Sequence, residues 1–381
     1  MPATAKSART AGDRARSALT RLAGAGLDND SFRYEAVAVL RQAVGFDWWC
    51  WPLLDPGTRL PTRYVGVESP ADEDYRRFCR LLIDPGAWGD LGAWAGGRNP
   101  GTSPARSPRI PAVAAISTAT GGDLSRDLLW REMLGPAGAS DVLNVMLPAG
   151  GMYWGQLHLG RDRPGRWFRE DEERLLTGLA PLIAARLRDG LRAPRPAEEA
   201  EPDSDEPGTI FLAADLSLVG ATDEAWRWIG RLGMPRLNDA EPLPGFVYAV
   251  AARVAASASR PPKPVRVRLQ DAFGRWAVVR AARLAYGTSP GAQGGYAVTL
   301  EQARSEDLAP LLMRAWALSP RERDVARLVL DGLSNEDIAA ALFISANTVR
   351  DHLKAIFGKT GVTRRRDLTA ALAGLTARSP A

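Results

Sequence analysis

The chain of 381 residues has only two cysteines and two histidines. Cys50 and Cys79 lie in different segments and match no zinc spacing. A chain of this size builds its core without a disulfide framework, so both are expected to be reduced and buried. His158 has no plausible cysteine partner nearby, and no metal site is expected. Long apolar runs are also missing: none approaches the ~18 residues of a membrane span. Lys6, Arg9, Arg14, Arg16 and Arg21 have no long apolar stretch behind them. The start therefore reads as a solvated helix rather than a secretory signal. A cytoplasmic location is the expectation. There is no phosphate-cradling glycine motif, no nucleophile elbow, and no acidic set of the kind a phosphoacceptor receiver needs. No catalytic residue and no cofactor is expected. Asp171 and Glu172, the most conspicuous acidic pair, open a helix, where acids stabilise the positive end.

What is present is ordinary in bulk and uneven in detail. Hydrophobic residues make up 45% and charged residues 24%, which suits a soluble globular protein of two or three domains. The net charge is +5. From Ile344 to Arg366 the bases are Arg350, Lys354, Lys359, Arg364, Arg365 and Arg366, and the sole acid is Asp351. Six minus one gives +5, so this stretch carries the whole net charge and the remainder balances to zero. Such a local excess is the electrostatic footprint of a nucleic-acid surface.

The clearest boundary is the acidic, proline-rich stretch 192–208, RAPRPAEEAEPDSDEPG, which reads as an exposed linker. A second boundary falls at 303–317, a connecting helix. Before the linker, Phe32–Val44 reads as a helix, Phe46–Leu54 and Thr62–Val67 as strands, and Asp72–Ile83 as a helix. A stretch rich in Gly, Pro and Ser follows, from Asp84 to about Ile110. Strands return at Asp141–Leu147 and Met152–Leu159, with Pro148–Gly151 as the hairpin turn. A helix from about Arg169 to Leu191 closes the unit, with Leu175, Leu179, Leu182, Ile183 and Leu187 at helical spacing. This order resembles a GAF domain, an α/β sensory fold, over residues 30–191, preceded by a helical segment at 1–29.

After the linker, Thr209–Gly220 reads as two short strands around a turn at Asp215, and Ala221–Ile229 as a helix. Val265–Gln270, Arg275–Arg283 and Gly295–Leu300 read as strands. The stretches TIFLAADLSLVGATDEAWRWIG and DAFGRWAVVRAARL resemble the opening and the later hairpin of a PAS domain, an α+β fold, over residues 209–302. Thr222 stands where many PAS domains carry Asn. The resemblance implies sensing or dimerisation rather than catalysis.

The C-terminal region is the most specific. Ser319, Pro320 and Glu322 form a helix start: a cap, a proline at the first helical position, and a capping-box partner. Val325, Leu328 and Val329 form one apolar face, and Gly332 permits a left-handed stop. Ser334 caps a second helix, whose inner face is Ile338, Ala339 and Leu342. Ile344 and Ser345 make a turn. A third helix runs from about Ala346 to Lys359, with Val349, Leu353, Ile356 and Phe357 on one stripe. Asn347, Arg350, Asp351 and Lys354 fall opposite, offering donors and acceptors of the kind that read base edges.

Leu318–Val362, LSPRERDVARLVLDGLSNEDIAAALFISANTVRDHLKAIFGKTGV, resembles the LuxR family almost continuously. The resemblance implies an all-α, four-helix helix-turn-helix domain over residues 318–376 that binds double-stranded DNA, in most cases as a homodimer. It places Arg350, Asp351 and Lys354 at base-facing positions. It places Ser345, Asn347, Thr348, His352 and Lys359 where the family meets phosphate or sugar, and Leu368, Ala371 and Leu372 in its dimerisation helix. Thr360 and Arg364 depart from the family pattern, which has Leu at the first position and often a small polar residue at the second.

Tryptophan is the remaining oddity. Eight of the twelve precede the linker, and three crowd into FDWWCW, Phe46–Trp51. Trp49 and Trp51 share one strand face, and Trp48 and Cys50 the other. Core packing is one explanation; the sharper one is an aromatic-lined pocket with Trp49 and Trp51 holding an apolar small molecule. The chain is thus expected to be a multidomain transcription regulator, with no membrane contact and RNA polymerase as a further partner. The alternatives are a sigma-factor-like promoter-binding subunit and a sensor enzyme with a vestigial helix-turn-helix.

Overall fold

In the computed structural model, residues 2–66, 77, 112–191, 206–233, 243–256, 265–271, 274–284 and 294–374 are described. The helix expected at Asp72–Ile83, the stretch after it to Ile110, Cys79, and the linker as far as Asp205 lie outside the described residues.

The N-terminal unit is one antiparallel sheet with helices laid over one face. The first helix, α1 (Pro2–Ala23), precedes α2 (Asn29–Val44). Asp28 caps α2 by accepting from the backbone N–H of Asp30 and Ser31, and Gly45, at φ 68°, ends it. The strands are β1 (Trp48–Leu54), β2 (Pro61–Val65), β3 (Val113–Ala115), β4 (Asp141–Ala149) and β5 (Met152–Arg161). Their order across the sheet is β2-β1-β5-β4-β3, and every pairing is antiparallel. The α/β expectation is corrected to that extent: helices cover a wholly antiparallel sheet. The hairpin turn is also tighter than expected. Pro148 and Ala149 still pair, with Tyr153 and Met152, and the two-residue loop is Gly150-Gly151, both at positive φ.

α3 (Glu170–Gly190) lays Leu176, Leu179, Ile183 and Leu187 on that sheet. Glu172 serves the helix start, as expected: it accepts from the Arg169 amide, and it also pairs with buried Arg161. α1 is not simply solvated. Ala15 and Leu19 are buried in the same core, and Arg16 donates to the Gly178 carbonyl at 3.0 Å.

The central unit repeats the layout with a second antiparallel sheet. Its strands are β6 (Gly208–Leu212), β7 (Leu218–Ala221), β8 (Val265–Gln270), β9 (Trp276–Leu284) and β10 (Gly295–Gln302). The order is β7-β6-β10-β9-β8, the same relative order as in the first sheet. Between β7 and β8 lie α4 (Asp223–Arg231) and α5 (Gly245–Ala256). Thr222 caps α4, accepting from the Ala225 amide and from the Thr209 amide of β6.

The two units meet at named contacts. Asp55, just after β1, is fully buried and pairs with Arg268 of β8 at 2.8 Å. Arg63 of β2 donates to the Leu232 carbonyl, and Leu60 packs into the central core. α6 (Ser305–Ala315) then seals the junction. Its buried Asp307 accepts from its own helix start, the Arg304 amide, and pairs with Arg266 and Arg280 of the central sheet.

No helix among the described residues is long and apolar enough to cross a membrane.

Candidate nucleic-acid interface

The C-terminal helices are α7 (Pro320–Leu330), α8 (Asn335–Leu342), α9 (Ala346–Thr360) and α10 (Arg365–Leu372). Their starts follow the expected chemistry. Ser319 accepts from the Glu322 amide while Glu322 accepts from the Ser319 amide, and Ser334 and Asp337 make the same reciprocal pair. Ser345 caps α9 through the Thr348 amide at 3.1 Å. Between α8 and α9 the chain turns through Phe343, at φ 56°. Arg321 reaches over to donate to the Leu342 carbonyl at 2.6 Å, tying α7 to that turn.

α9 buries Val349, Leu353 and Ile356 against α7 and α8. Arg350, Asp351 and Lys354 are exposed on the other side, together with Asn347. Asn347 accepts from Arg350 at 2.6 Å, which steadies the guanidinium without consuming its five donors. The exposed face is therefore a rigid strip of two cations, one carboxylate and one amide on a helix braced by two others.

The flanking positions divide. Ser345 is committed to its cap and is 2.9 Å from the Thr348 hydroxyl. Thr348 and His352 are half-buried at the edge of the strip. Lys359 is not a free cation: its ammonium sits 2.6 and 2.8 Å from the two carboxylate oxygens of Glu322. Burial alone would raise the Glu322 acidity constant, but hydrogen bonds from Lys359 and from the Ser319 amide outweigh it and hold the carboxyl below its ordinary 4.5. Glu322 is thus both a helix-start partner and the counter-ion of α9, a second role its position in the sequence did not reveal. Arg365 is likewise engaged, with the Asn335 side chain and the Leu333 carbonyl. The +5 of this stretch is accordingly spread over several sides of the domain.

The expectation for α10 needs correction. Leu368 and Leu372 are fully buried within the chain, and only Ala371 of the three remains part-exposed. α10 packs on α6 and α7, and at its end Gly374, at φ 74°, lies close against Leu308 and Trp276. A second copy meeting α10 in this conformation would touch Ala371 and its neighbours, not the two leucines. The departure at Arg364 also has a structural meaning. Arg364 occupies the cap position of α10 with an extended backbone, and no side chain caps that helix.

The profile of the family described as "Bacterial regulatory proteins, luxR family" matches residues 317–372. Residues 317–372 form a LuxR-type helix-turn-helix domain. The "Putative HTH-type transcriptional regulator Mb0914c" of Mycobacterium bovis is 38% identical over 125 residues, covering 30% of this chain and 14% of that protein. The HTH-type transcriptional regulator MalT of Klebsiella pneumoniae is 35% identical over 68 residues, covering 18% of this chain and 8% of its own. The chain thus spans only a small part of the curated relatives it matches. Among solved structures, the Vibrio cholera VqmA–ligand–DNA complex shares 18% identity over 45% of this chain and 84% of its own, at a TM-score of 0.22. A superposition that loose carries no weight for the fold.

Outside the LuxR-type domain, the tryptophan positions are now placed. Trp51 is fully buried and Trp49 is 4% exposed, both in the core under the N-terminal helices. The core-packing explanation accounts for them. The indole N–H of Trp51 has no hydrogen-bond partner. His158 does have a cysteine neighbour, contrary to expectation: the β1–β5 register sets it opposite Cys50, and the β4–β5 register sets Asn144 on its other side. Burial lowers the His158 imidazole from 6.5 to about 4. Cys50 is half-buried. Among the described residues, no group of three or more His, Cys, Asp or Glu side chains is placed to hold a metal ion.

Proposed function

We propose that this chain is a DNA-binding transcription regulator of the cytoplasm, in which two sensory units govern a C-terminal LuxR-type domain. The observation that carries this is the uncovered strip of α9: Arg350, Asp351 and Lys354 exposed together, on a helix held by two capped neighbours. A helix presenting Arg, Lys and Asn side chains fits the major groove and its donor and acceptor pattern. Ser345, Asn347, Thr348, His352 and Lys359 flank the strip and are assigned to phosphate and sugar, Lys359 after release from, or while sharing its proton donors with, Glu322. The working form is a homodimer on an inverted repeat, with half-sites about one helical turn apart.

Residues 30–191 are assigned as a GAF-like unit and 209–302 as a PAS-like unit. The shared strand order of the two sheets supports a pairing of two related sensory folds. No enzymatic activity is assigned. RNA polymerase is assigned as the partner in regulation, not as a core enzyme to be recruited in the manner of a sigma factor.

The test is binding of the full chain to duplex DNA across a salt series. Affinity should fall steeply and log-linearly with salt, as phosphate neutralisation releases counterions. A selection from random duplexes should return a two-fold symmetric site. Absence of saturable binding at low salt, or tight binding to RNA polymerase core without DNA binding, would overturn the assignment.

A further inference from the structure

Where the two sheets and α6 meet, a cleft of about 310 Å³ opens to solvent. That is the size of a small-ligand site. Its lining brings three guanidinium groups together from distant parts of the chain: Arg59 from the β1–β2 connection, Arg268 from β8 and Arg314 from α6. No Asp or Glu is among the lining residues. The nearest carboxylate, Asp55, is fully buried and committed to Arg268 and to the amides of Gly57 and Thr58. Two cations are left over.

Their surroundings are those of charges awaiting an anion. The one contact of Arg314 is the thioether sulfur of Met152, 2.9 Å away, and a thioether is a weak acceptor for a full positive charge. Arg59 is held at φ 61°, a backbone conformation that L side chains rarely adopt, by a 2.6 Å bond from its amide to the Asp55 carbonyl. Such strain persists where surrounding structure imposes it, and it clusters at ligand clamps. The Arg59 guanidinium stands 5.5 Å from the ring centre of Tyr153, so aromatic surface lies beside the charge. Its field also extends inward: after desolvation, the charge of Arg59 is the next reason that buried Arg253 is held below its ordinary value. Tyr153 and buried Leu311 complete an apolar wall.

We propose that this cleft binds a small organic oxyanion, its carboxylate or phosphate head between Arg59 and Arg314 and its apolar body on Tyr153 and Leu311. Charge-assisted bonds to two guanidiniums would hold the head, and the apolar wall would select against the bare inorganic ion. Arg314 and Leu311 belong to the helix that also supports α10 through Leu308. Occupancy of the cleft therefore bears on the element that joins the sensory units to the LuxR-type domain. The binding claim stands apart from the DNA assignment, and failure of either leaves the other intact.

The experiment is calorimetric titration of the full chain, at fixed ionic strength, with benzoate, phenyl phosphate, inorganic phosphate and neutral benzamide. Benzoate or phenyl phosphate should bind saturably, the tighter of the two identifying the head group, while benzamide should not bind. Arg314 is exposed, so Arg314→Gln should leave the thermal midpoint in place and weaken binding about tenfold or more. Arg59→Gln should do the same; should that variant fail to fold, Arg314→Gln carries the test. Met152→Leu removes the sulfur contact but no charge, and should keep affinity within about twofold. No saturable binding of either organic anion, equal binding of benzamide, or affinity unchanged in Arg314→Gln would each overturn the proposal.

Discussion

Replacing Asp55 with alanine should loosen the junction between the two sheet units, and the structure sets the size of the effect. Arg268 lies on β8, an edge strand, so its amide points away from the sheet. Asp55 accepts from that amide at 3.0 Å and from the Arg268 guanidinium at 2.8 and 3.1 Å. It also accepts from the amides of Gly57 and Thr58. The carboxylate is fully buried and Arg268 is 15% exposed, so removing one partner strands a desolvated charge. Breaking a buried pair in this way costs about 3–5 kcal/mol. Opening of the β8 edge should become easier by that amount, and exchange of the Arg268 amide should quicken by about two to three orders of magnitude. Hydrogen-exchange mass spectrometry over residues 265–271 reads this directly. Adding Arg268→Met should recover much of the loss, because the stranded charge is then gone. Exchange changed by less than about threefold, or a double variant worse than Asp55→Ala, would refute the buried interdomain pair.

Three further outcomes follow from local geometry. Arg364→Ser supplies the missing cap of α10, with Asp367 in place as its reciprocal partner, and should raise the stability of the C-terminal domain by about 1 kcal/mol in urea denaturation; no gain would mean that α10 is not capped from this position. Gly374→Ala combines a left-handed backbone with a Cβ set against Leu308 and Trp276, and should undock α10 from α6, seen as faster exchange in both helices; unchanged exchange would contradict that packing. His158 is neutral in the fold at about 4 and ordinary at 6.5 when unfolded, so its contribution is complete above 6.5 and is lost as pH falls toward 4, by about 3 kcal/mol in all. His158→Gln should flatten stability between those pH values, and an unchanged slope would show the imidazole to be solvated.

How much was legible in the sequence depended on whether the signal was local. The helix starts at Ser319, Ser334 and Ser345 lie in the caps themselves, and all three serve as read. The alternation in Val265–Gln270 marks a strand with one buried face, and its bounds were recovered to the residue. α5 was missed because Gly245–Ala256 is apolar almost all round and buried almost all round, which erases the helical period. β3, three residues long, is too short to show any period. The candidate site divides in the same way. The strip of α9 follows from helical spacing. The Lys359–Glu322 pair, the Cys50–His158 pairing and the Asp55–Arg268 contact, 213 residues apart in sequence, depend on packing and register that no local pattern encodes.

The central claim is that α9 reads base edges, and one measurement tests it most directly: the ratio of affinities for a selected symmetric duplex and a random duplex, for the parent and for Arg350→Ala, Lys354→Ala and Asp351→Ala. Both Arg350 and Lys354 are exposed on the strip, and each lost base contact is worth about 1–3 kcal/mol of discrimination. Arg350→Ala and Lys354→Ala should therefore lower the ratio by about tenfold to a hundredfold. Asp351→Ala should lower it too, while keeping or raising affinity for random DNA, because it removes a repelling charge. Variants that bind both duplexes as the parent does would show that another surface reads the DNA.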